Sequence, residues 1–569
     1  MKKKRLGFRA LMLCMAAAMT IAGCSGGNSA TPGTESKGEG VTTPAETDNQ
    51  ALEPITFTMF SADPNPNYEN MKSPVGQEIT KRTGVTLDIE YPVGDVKQKV
   101  SIMAAGGDYP DLIYAKADSN LLIEAGALLD LTDLIEEHAP NLKALYGPYM
   151  KRLRYSTEDP SIYFVGSFGV YSEQWDPKTG FEIQHRAVKE AGYPEIKTLK
   201  DYEKVIKDFV DKNPTTDGKP TIGMSLLADD WRFRITVTNP AVLATGGPDD
   251  GEWYVDPQTK KASLHITRPE EKEYFRWLNH MNDMGLLDQE SFTQKYDQYE
   301  AKIASGQVVG LADARWQHWN AENQLREGGK HDMMYGVYPV TLTEDMKYAD
   351  FQSSGYSAGW GIGISTSAKD PVRAIKFLDW LASEEAQILN NWGIEGEHYT
   401  VENGKRVISE EEMKKRFSDS EYYKKTGIGV YAYPFPEYGD GALDSTGQTF
   451  TVRSPEQIAE NYTEVEKEVL AQYDAKLWMD LFPSVDEFPV KEYGAAWQIN
   501  IPQDSNANVI LQRIFDLVKK RAPEAIMAKP EEFDAIWDAM LQEIDKAGRA
   551  ELEETFNELL ADRYKLWNE

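Results

Sequence analysis

Cysteine is nearly absent from this sequence of 569 residues, which contains only Cys14 and Cys24. Its seven histidines are scattered, and no close pair has the spacing of zinc ligands. The P-loop motif G-x-x-x-x-G-K-[ST] and the zinc-protease motif H-E-x-x-H are also missing. The sequence therefore predicts no metal, no cofactor and no catalytic residue.

A hydrophobic run long enough to cross a membrane is missing as well. The apolar and small residues 10–23 are fewer than the roughly 20 that a span needs. They follow a basic start that contains Lys2, Lys3, Lys4, Arg5 and Arg9. This order is typical of a secretory signal peptide, so we expect residues 1–23 to be removed.

Residues 21–24, Ile-Ala-Gly-Cys, resemble the lipobox of bacterial lipoproteins, in which the cysteine receives a lipid and becomes the mature N-terminus. We therefore expect Cys24 to anchor the protein to the outer face of the cell membrane without a span. The alternative is an ordinary secretion signal with an incidental cysteine, for which Ala-x-Ala spacing is expected. With Cys14 removed and Cys24 lipidated, no thiol remains for a disulfide or a nucleophile.

Residues 24–53 are rich in Gly, Ser, Thr and Pro, and we expect a flexible linker there, with folded structure beginning near Pro54. Removal of residues 1–23, which carry five basic side chains, changes the formal net charge from -31 to -36. A surface this acidic argues against nucleic acid or anionic lipid as a partner. The 13 Trp and 29 Tyr must serve either the core or a binding surface.

Short apolar runs alternate with helical patterns in the first part of the folded chain. We predict strands at 56–60, 85–89 and 111–114, and helices at 77–83, 97–105 and 128–138. The same alternation continues further along the chain. There we predict helices at 181–191, 199–211, 272–284 and 299–305, an extended segment at 221–226 and a strand at 307–311. This alternation predicts mostly parallel sheets with helices on both faces. About 515 residues are too many for one core and enough for two large domains.

A glycine-rich strand and a capped helix follow at 359–393. Gly359, Gly361 and Gly363 surround Trp360, and their missing side chains let another surface approach the strand. Asp370 is the predicted N-cap of the next helix, with Pro371 at its first position. The predicted buried stripe of this helix is Ala374, Leu378, Leu381 and Ile388, and its predicted end is Trp392 with a left-handed cap at Gly393.

Two further patterns complete the folded chain. Asn403-Gly404 is a strong turn pair and predicts a hairpin. Two apolar stripes near the C-terminus predict buried helix faces, Phe533, Ile536, Trp537, Met540, Leu541 and Ile544 in one and Leu552, Phe556, Leu559 and Leu560 in the other.

Several segments together resemble the family 1 extracellular solute-binding lipoproteins of ABC importers, in the large-chain, Gram-positive branch that handles oligosaccharides. They are the lipobox, "AAGGDYPDLI" at 104–113, "AGALLDLTDLIEEHAPNL" at 125–142, "GWGIGISTSAKDPVRAIKFLDWLASEEAQ" at 359–387 and "WGIEGEHYTVENGKR" at 392–406. The resemblance implies an α/β, periplasmic-binding-protein-like fold of two lobes with mixed, mostly parallel sheets, an added C-terminal helical region and a cleft for a sugar. It also implies an oligosaccharide ligand and an ABC permease as partners, and we expect a monomer.

On this fold we expect the first lobe to begin with 54–170 and the second lobe to lie mainly in 171–350. We expect a segment crossing between the lobes at 351–500 and C-terminal helices at 501–569. Members of the family often carry a calcium loop of D-x-N-x-N-G-x-x-D-E type near 211–221. Here that loop reads DKNPTTDGKPT, which departs from the pattern, so the sequence predicts no metal there.

Aromatic rings and polar groups are the side chains that a sugar needs, because a sugar ring has an apolar face and a rim of hydroxyls. Seven candidates lie in loop-like or strand-end positions: Trp231, Arg232, Arg315, Trp316, Trp319, Tyr356 and Trp360. Trp392, Glu397 and His398 are further candidates from the hallmark segment, which we interpret mainly as structural. The alternative for each is a core or capping role, and the shared helix face of Trp316 and Trp319 fits either the cleft or the core.

Two other classes of function remain open from the residues. An anchored glycoside hydrolase needs a pair of carboxylates, and 92 Asp and Glu leave any such pair unmarked. A surface adhesin favours repeats and β-sandwich patterns, which this sequence lacks. We therefore predict a non-enzymatic binding protein whose lobes close on an oligosaccharide.

Overall fold

The computed structural model of the protein describes residues 53–419 and 421–568. The predicted signal peptide, Cys24 and all but the last residue of the predicted linker lie outside these residues. Among the described helices, none combines the length and the apolar character that a membrane crossing requires.

The strands are short, and most are buried. They are β1 (Ile55–Ser61), β2 (Val85–Glu90), β3 (Leu112–Tyr114), β4 (Thr179–Gln184), β5 (Thr215–Thr216), β6 (Lys219–Pro220), β7 (Ile222–Met224), β8 (Trp253–Val255), β9 (Ala262–Leu264), β10 (Val308–Ala314), β11 (Tyr335–Tyr338), β12 (Gly363–Ile364), β13 (Thr400–Glu402) and β14 (Lys405–Val407).

Helices separate these strands and form the whole C-terminal region. They are α1 (Pro74–Thr83), α2 (Val96–Gly106), α3 (Ser119–Glu124), α4 (Thr132–His138), α5 (Pro140–Tyr146), α6 (His185–Glu190), α7 (Leu199–Lys212), α8 (Asn239–Ala244), α9 (Pro269–Asp283), α10 (Tyr296–Ala304), α11 (Arg315–Glu327), α12 (Pro371–Leu381), α13 (Glu384–Trp392), α14 (Glu410–Ser418), α15 (Tyr422–Thr426), α16 (Pro455–Asn461), α17 (Glu464–Gln472), α18 (Asn506–Ile526), α19 (Phe533–Ala547) and α20 (Arg549–Asn568).

Two four-stranded mixed sheets organise the chain into two lobes. The first-lobe sheet has the order β12-β3-β1-β2, and β1 runs parallel to both β2 and β3 while β12 is antiparallel to β3. The second-lobe sheet has the order β11-β4-β10-β7. In it only β10 and β7 are parallel, so this sheet has more antiparallel pairing than the sequence predicts.

The buried cores show how the chain passes between the lobes. The first-lobe core takes residues from 57–170 and again from 356–435, so the chain returns to that lobe after completing the second-lobe sheet. The second-lobe core takes residues from 181–351 and from 462–560. Each lobe is therefore built from separate stretches of chain rather than from one continuous segment.

The C-terminal helix α20 belongs to both lobes. Its Leu552, Phe556 and Leu560 lie in the second-lobe core, whereas Trp567 near its end is buried in the first-lobe core. The Arg152 guanidinium of the first lobe stacks on the Trp567 ring at 4.6 Å from its centroid. The helix thus joins the two cores along one rigid element.

Most of the local structure predicted for residues 359–407 is confirmed. Asp370 caps α12 by accepting a hydrogen bond from the Arg373 N–H, and Pro371 is the first helical residue. A side chain at Gly361 would lie 2.8 Å from the Val165 carbonyl oxygen, which confirms the predicted close approach to this strand. Asn403 and Gly404 both have positive φ and join β13 to β14, so the predicted hairpin is confirmed.

Two details of the same region differ from the prediction. The helix does not run unbroken to Trp392, because α12 ends at Leu381 and Ser383 caps the new helix α13 with its side chain. The break shifts the helical phase, so Leu389 rather than Ile388 is buried. Gly393 has a positive φ of 90° but a ψ of -150°, so the chain leaves the helix in an extended direction rather than through a left-handed cap.

The predicted helices at 181–191 and 128–138 both begin later than expected. Residues 179–184 form β4, whose Phe181 and Ile183 face the second-lobe core between two antiparallel neighbours. Pairing with distant strands therefore overrides the local helical pattern. Leu128 bridges to Ser365, and the helix α4 begins only at Thr132.

Candidate functional site

The carboxyl ends of two first-lobe strands carry a charged pair. Asp63 follows β1 and Lys116 follows β3, and the Lys116 Nζ lies 3.1 Å from Asp63 Oδ1. The Tyr433 hydroxyl donates to Asp63 Oδ2 at 2.7 Å. Lys116 also has a φ of 53°, a backbone conformation that non-glycine residues adopt mainly where the surroundings enforce it. In α/β folds this edge of a sheet is where ligands bind.

Three half-buried aromatic rings lie beside this pair, and we call Phe168, Trp360 and Tyr433 the first-lobe aromatic cluster. The Phe168 centroid lies 6.5 Å from Trp360 and 5.9 Å from Tyr433, and the Lys116 Nζ lies 5.4 Å from the Trp360 ring. The indole N–H of Trp360 is buried and has no hydrogen-bond partner. The cluster thus offers apolar faces together with an unused donor.

Trp497 brings the second lobe to this cluster. It follows a short segment whose Tyr493 and Ala496 belong to the second-lobe core, and its ring centroid lies 4.6 Å from that of Trp360. A side chain at Gly251 would lie 2.8 Å from the Trp497 Cβ, so this glycine is needed for the close approach. Aromatic surfaces of the two lobes therefore meet at Trp360 and Trp497.

Three tryptophans of the second lobe are exposed, and we call them the tryptophan patch. Trp316 and Trp319 lie on one face of α11, which begins directly after β10, and are 53% and 56% exposed. Trp231 is 46% exposed and stacks on Trp316 with ring centroids 5.9 Å apart at 20°. Grouped exposed rings of this size mark a binding surface more often than a bare solvent face.

Buried charges hold the opposite side of α11. His318 Nε2 lies 3.1 Å from Glu182 Oε1, and both side chains are fully buried. Burial opposes the charged imidazolium, but the carboxylates of Glu182, Asp313 and Glu322 outweigh it and raise the pKa of His318 to about 9. Arg315 pairs with Glu322 at 3.3 Å at the start of the helix. These contacts fix the orientation from which Trp316 and Trp319 project.

A small pocket opens beside Trp316. It has a volume of about 40 Å³, and its polar lining side chains include Asn239, Asp249 and Asp313. Burial, with a smaller contribution from Asp350, raises the pKa of Asp249 to about 6. The pocket lies at the carboxyl end of β10, the second-lobe counterpart of the edge that carries Asp63 and Lys116.

A larger cavity of about 1070 Å³ lies among the segments that run between the lobes. Tyr149, Tyr171 and Tyr438 line it, and the last two stack with centroids 6.2 Å apart. Phe168 lines this cavity and also contacts Trp360 and Trp497, so it links the cavity to the first-lobe aromatic cluster.

Five of the predicted residues, Trp231, Arg232, Trp316, Trp319 and Trp360, lie at these aromatic surfaces. Arg232 stacks on Trp231 at 4.9 Å and pairs with Asp230 at 2.6 Å. Trp316 and Trp319 are 53% and 56% exposed, which excludes the core role left open for their helix face, and their place in the cleft stays a prediction. Arg315 is paired with Glu322 and Asp176, which gives it a supporting role.

The remaining predicted residues make internal contacts. Tyr356 is buried and donates to the Gly166 carbonyl oxygen at 3.2 Å, and the Trp392 indole donates to the Thr449 carbonyl oxygen at 3.2 Å. His398 is also buried, and its Nδ1 accepts from the Ile394 N–H at 3.1 Å. These contacts match the structural interpretation of the hallmark segment. Glu397 is exposed, and a ligand contact there stays a prediction.

The residues near 211–221 form a hairpin of β5 and β6 around Asp217 and Gly218, both with positive φ. Asp217 pairs with Lys330 at 2.8 Å and Asp211 with Lys207 at 2.5 Å. Within the described residues, no group of three or more His, Cys, Asp or Glu side chains is arranged to hold a metal ion.

Several residues of the site were missed by the sequence reasoning. Asp63 and Lys116 lie three and two residues after predicted strands, so the rule that ligands bind at carboxyl ends of strands would have found them. Phe168, Trp497 and Asn239 carry no comparable local signal, because only the folded chain brings them to the site.

The carboxyl edges of the two sheets carry polar and aromatic groups, and segments of the chain cross between the two lobes. This arrangement is that of a two-lobed binding protein. The chain belongs to the family of bacterial extracellular solute-binding proteins, whose model matches residues 61–388.

Curated relatives support this assignment. The Bacillus subtilis lipoprotein LipO is 23% identical over 74% of this chain and 78% of its own length. The fructooligosaccharide ABC transporter substrate-binding protein FusA of Streptococcus pneumoniae is 25% identical over 70% of this chain and 72% of its own. The Bacillus subtilis polygalacturonan/rhamnogalacturonan-binding protein YtcQ is 22% identical over 62% of this chain and 71% of its own.

The structure of FusA in complex with kestose superimposes with a TM-score of 0.65 at 18% identity. The match covers 90% of this chain and 99% of FusA. This likeness confirms the predicted two-lobed fold.

Proposed function

We propose that this protein is a lipid-anchored receptor that captures an oligosaccharide between its lobes and delivers it to the permease of an ABC importer. The observation that carries this proposal is the meeting of aromatic surfaces from both lobes at Trp360 and Trp497, 4.6 Å apart. The names of FusA and YtcQ, which both state a saccharide ligand, agree with it.

The chemistry of the two surfaces suits a sugar. The tryptophan patch presents flat apolar rings to the C–H faces of sugar rings. Asp63, Lys116 and Asn239 beside the aromatic rings present donors and acceptors to the hydroxyl rim. A ligand held by both surfaces stabilises a closed arrangement of the lobes, because it binds that arrangement better than an open one.

No covalent chemistry is needed for this role. In our proposal the ligand leaves the protein chemically unchanged. The lobes move about the segments that cross between them, near residues 172–178, 351–357 and 440–455. The permease recognises the closed form. The protein acts as a monomer and has no catalytic activity.

Membrane attachment is the second part of the proposal. Cys24 would carry the lipid, and residues 24–53 would act as the linker that lets the folded part reach the permease. The name of LipO agrees with a lipoprotein. Replacement of Cys24 by Ala should release the protein from membranes into the medium, as an immunoblot of both fractions would show.

The direct test is calorimetric titration of residues 25–569 with fructo-, galacto-, manno- and uronic oligosaccharides, with chromatography of each mixture afterwards. We expect saturable binding of at least one oligosaccharide and its full recovery. Trp316→Ala should weaken that binding, whereas the matched control Tyr423→Ala, an exposed ring on α15, should not. Cleaved products would overturn the proposal in favour of a glycoside hydrolase, and a panel without any binding would also contradict it.

A further inference from the structure

The pocket of about 40 Å³ beside Trp316 is lined by hydrogen-bond acceptors, and we call it the acceptor pocket. Its volume is sufficient for a hydroxyl or hydroxymethyl group and far too small for a whole sugar ring. Phe181, Pro240 and Leu243 form its apolar floor. A ring stacked on Trp316 is therefore positioned to insert one substituent.

Asn239 is an unsatisfied polar side chain in this pocket. It is 7% exposed, and its buried Oδ1 has no hydrogen-bond partner. The segment before it, Arg234–Thr238, is a π-helix, a rare conformation that occurs often at functional sites. Buried polar groups in native proteins are almost always paired, so an unpaired amide oxygen at this position points to a ligand donor that pairs with it.

The two carboxyl groups of the pocket add further acceptors. Asp249 accepts from the Gly251 N–H at 3.1 Å and is paired with no cation among the described residues. Asp313 Oδ2 accepts from the Tyr299 hydroxyl at 2.7 Å. None of the residues that line the pocket is basic.

Three basic side chains close to the tryptophan patch are already paired with carboxylates. Arg232 pairs with Asp230 at 2.6 Å, Lys295 pairs with Asp229 at 2.7 Å, and Arg315 pairs with Glu322 at 3.3 Å. A carboxylate brought into the pocket would face the carboxylates of Asp249 and Asp313, and none of these three paired basic side chains is free to compensate. A neutral hydroxyl would instead find Asn239 and Asp249 ready to accept its proton in a hydrogen bond.

We infer that the ligand is an uncharged oligosaccharide, one ring of which stacks on Trp316 and donates a hydroxyl into the acceptor pocket, and that a uronic acid is rejected at this position. The inference rests on the proposed oligosaccharide-binding function and narrows it. Asn239 and Asp249 are then the residues that determine specificity for a neutral sugar.

The test uses matched pairs of probes that differ only in charge. Tetramers of galacturonate, mannuronate and glucuronate are compared by calorimetry with the same tetramers after reduction of each carboxyl to a hydroxymethyl group, with fructo-oligosaccharides as further neutral probes. We expect the tightest ligand to be neutral and any reduced tetramer to bind at least tenfold more tightly than its uronate. Tighter or equal binding of a uronate would overturn the inference while leaving the proposed function intact.

Two variants connect this preference to the pocket. Asp249→Asn should bring the affinities of a neutral and a uronic tetramer closer together, and Asn239→Ala should weaken the neutral ligand about tenfold, both without loss of the folded state in thermal unfolding. If Asp249→Asn leaves the ratio of the two affinities unchanged, the pocket does not set the preference. If no oligosaccharide of either charge binds, the inference falls together with the proposed function.

Discussion

The two lobes present their aromatic side chains in different ways. In the first-lobe aromatic cluster, Trp360 is half-buried and packs against Phe168 and against Trp497 of the other lobe. In the tryptophan patch, Trp316 and Trp319 stand about half exposed on a helix whose other face is held by buried charges. The second lobe thus offers a flat surface without rearrangement, whereas the Trp360 ring of the first lobe already packs against Trp497.

This difference distinguishes residues that support the fold from residues that contact the ligand. Residues that hold α11 in place should affect folding, residues of the tryptophan patch should affect ligand affinity, and Trp360 should affect both. Substitutions in these three groups of residues separate folding from ligand binding, and the largest effect is expected for the support of α11.

Removal of the buried histidine should destabilise the second lobe most. His318→Ala leaves the buried Glu182 carboxylate without its partner, and breaking a buried ion pair costs about 3–5 kcal/mol. Urea unfolding followed by circular dichroism measures this loss in the free energy of unfolding. The control His138→Ala, on a partly exposed histidine in α4, should change it by less than about 0.5 kcal/mol. A loss below about 1 kcal/mol for His318→Ala would show that the charges do not support the patch.

Removal of the exposed ring should affect binding and not folding. For Trp316→Ala we expect affinity for the bound oligosaccharide to fall about 10- to 100-fold, which corresponds to about 1.4–2.8 kcal/mol. The melting temperature should stay unchanged because half of the side chain is already in solvent. Calorimetric titration and thermal unfolding of the same preparation measure both quantities. Unchanged affinity would remove the tryptophan patch from the ligand surface.

Trp360→Ala should show a mixed effect. The ring is half-buried against Phe168 and Trp497, so its removal should lower the free energy of unfolding by about 2 kcal/mol, less than for a fully buried tryptophan. Affinity should also fall, by several-fold. If stability alone changes, Trp360 is a packing residue and the ligand surface belongs to the second lobe only.

The pH-dependent contribution of Asp249 to the free energy of unfolding should be the smallest of these effects. Its folded-state pKa of about 6 lies above the ordinary value of 3.8, so the folded protein holds this proton more tightly than the unfolded chain does. The stability from this group is present below pH 4 and is lost as the pH rises through 6. The free energy of unfolding of the natural protein, measured relative to that of Asp249→Asn by urea unfolding at each pH, should therefore fall by about 1 kcal/mol between pH 4 and pH 6. Partial exposure of the carboxyl group keeps the effect this small. A difference that stays constant with pH would contradict the raised pKa.

Local chemistry explains which features could be predicted from the sequence. The Asp370 cap, the Asn403-Gly404 turn and the helical pairing of Trp316 with Trp319 depend on residues a few positions apart, and each is confirmed. The strand at 179–184 depends on β10 and β11, more than 100 residues away in the chain, and was predicted as helix. A pattern among neighbouring residues cannot show that a segment pairs with strands more than 100 residues away in the chain.

The same limit applies to the candidate site. Trp316 and Trp360 could be named because they stand beside strand ends or glycines in the sequence. Trp497 and Asn239 could not, because the first meets Trp360 only after the chain has crossed between lobes, and the second is marked only by its missing hydrogen bond. Site residues whose neighbours come from distant parts of the chain are thus the ones that a single sequence conceals.

The helix α20 has a consequence for how the whole molecule melts. Two lobes joined only by flexible segments would unfold as separate cooperative units, each with its own midpoint. Here Phe556 and Trp567 place a single helix in both cores, so disruption of either core removes the packing of the other end of that helix. Heat should therefore reveal one merged transition, and a bound ligand should raise the midpoint of that single transition.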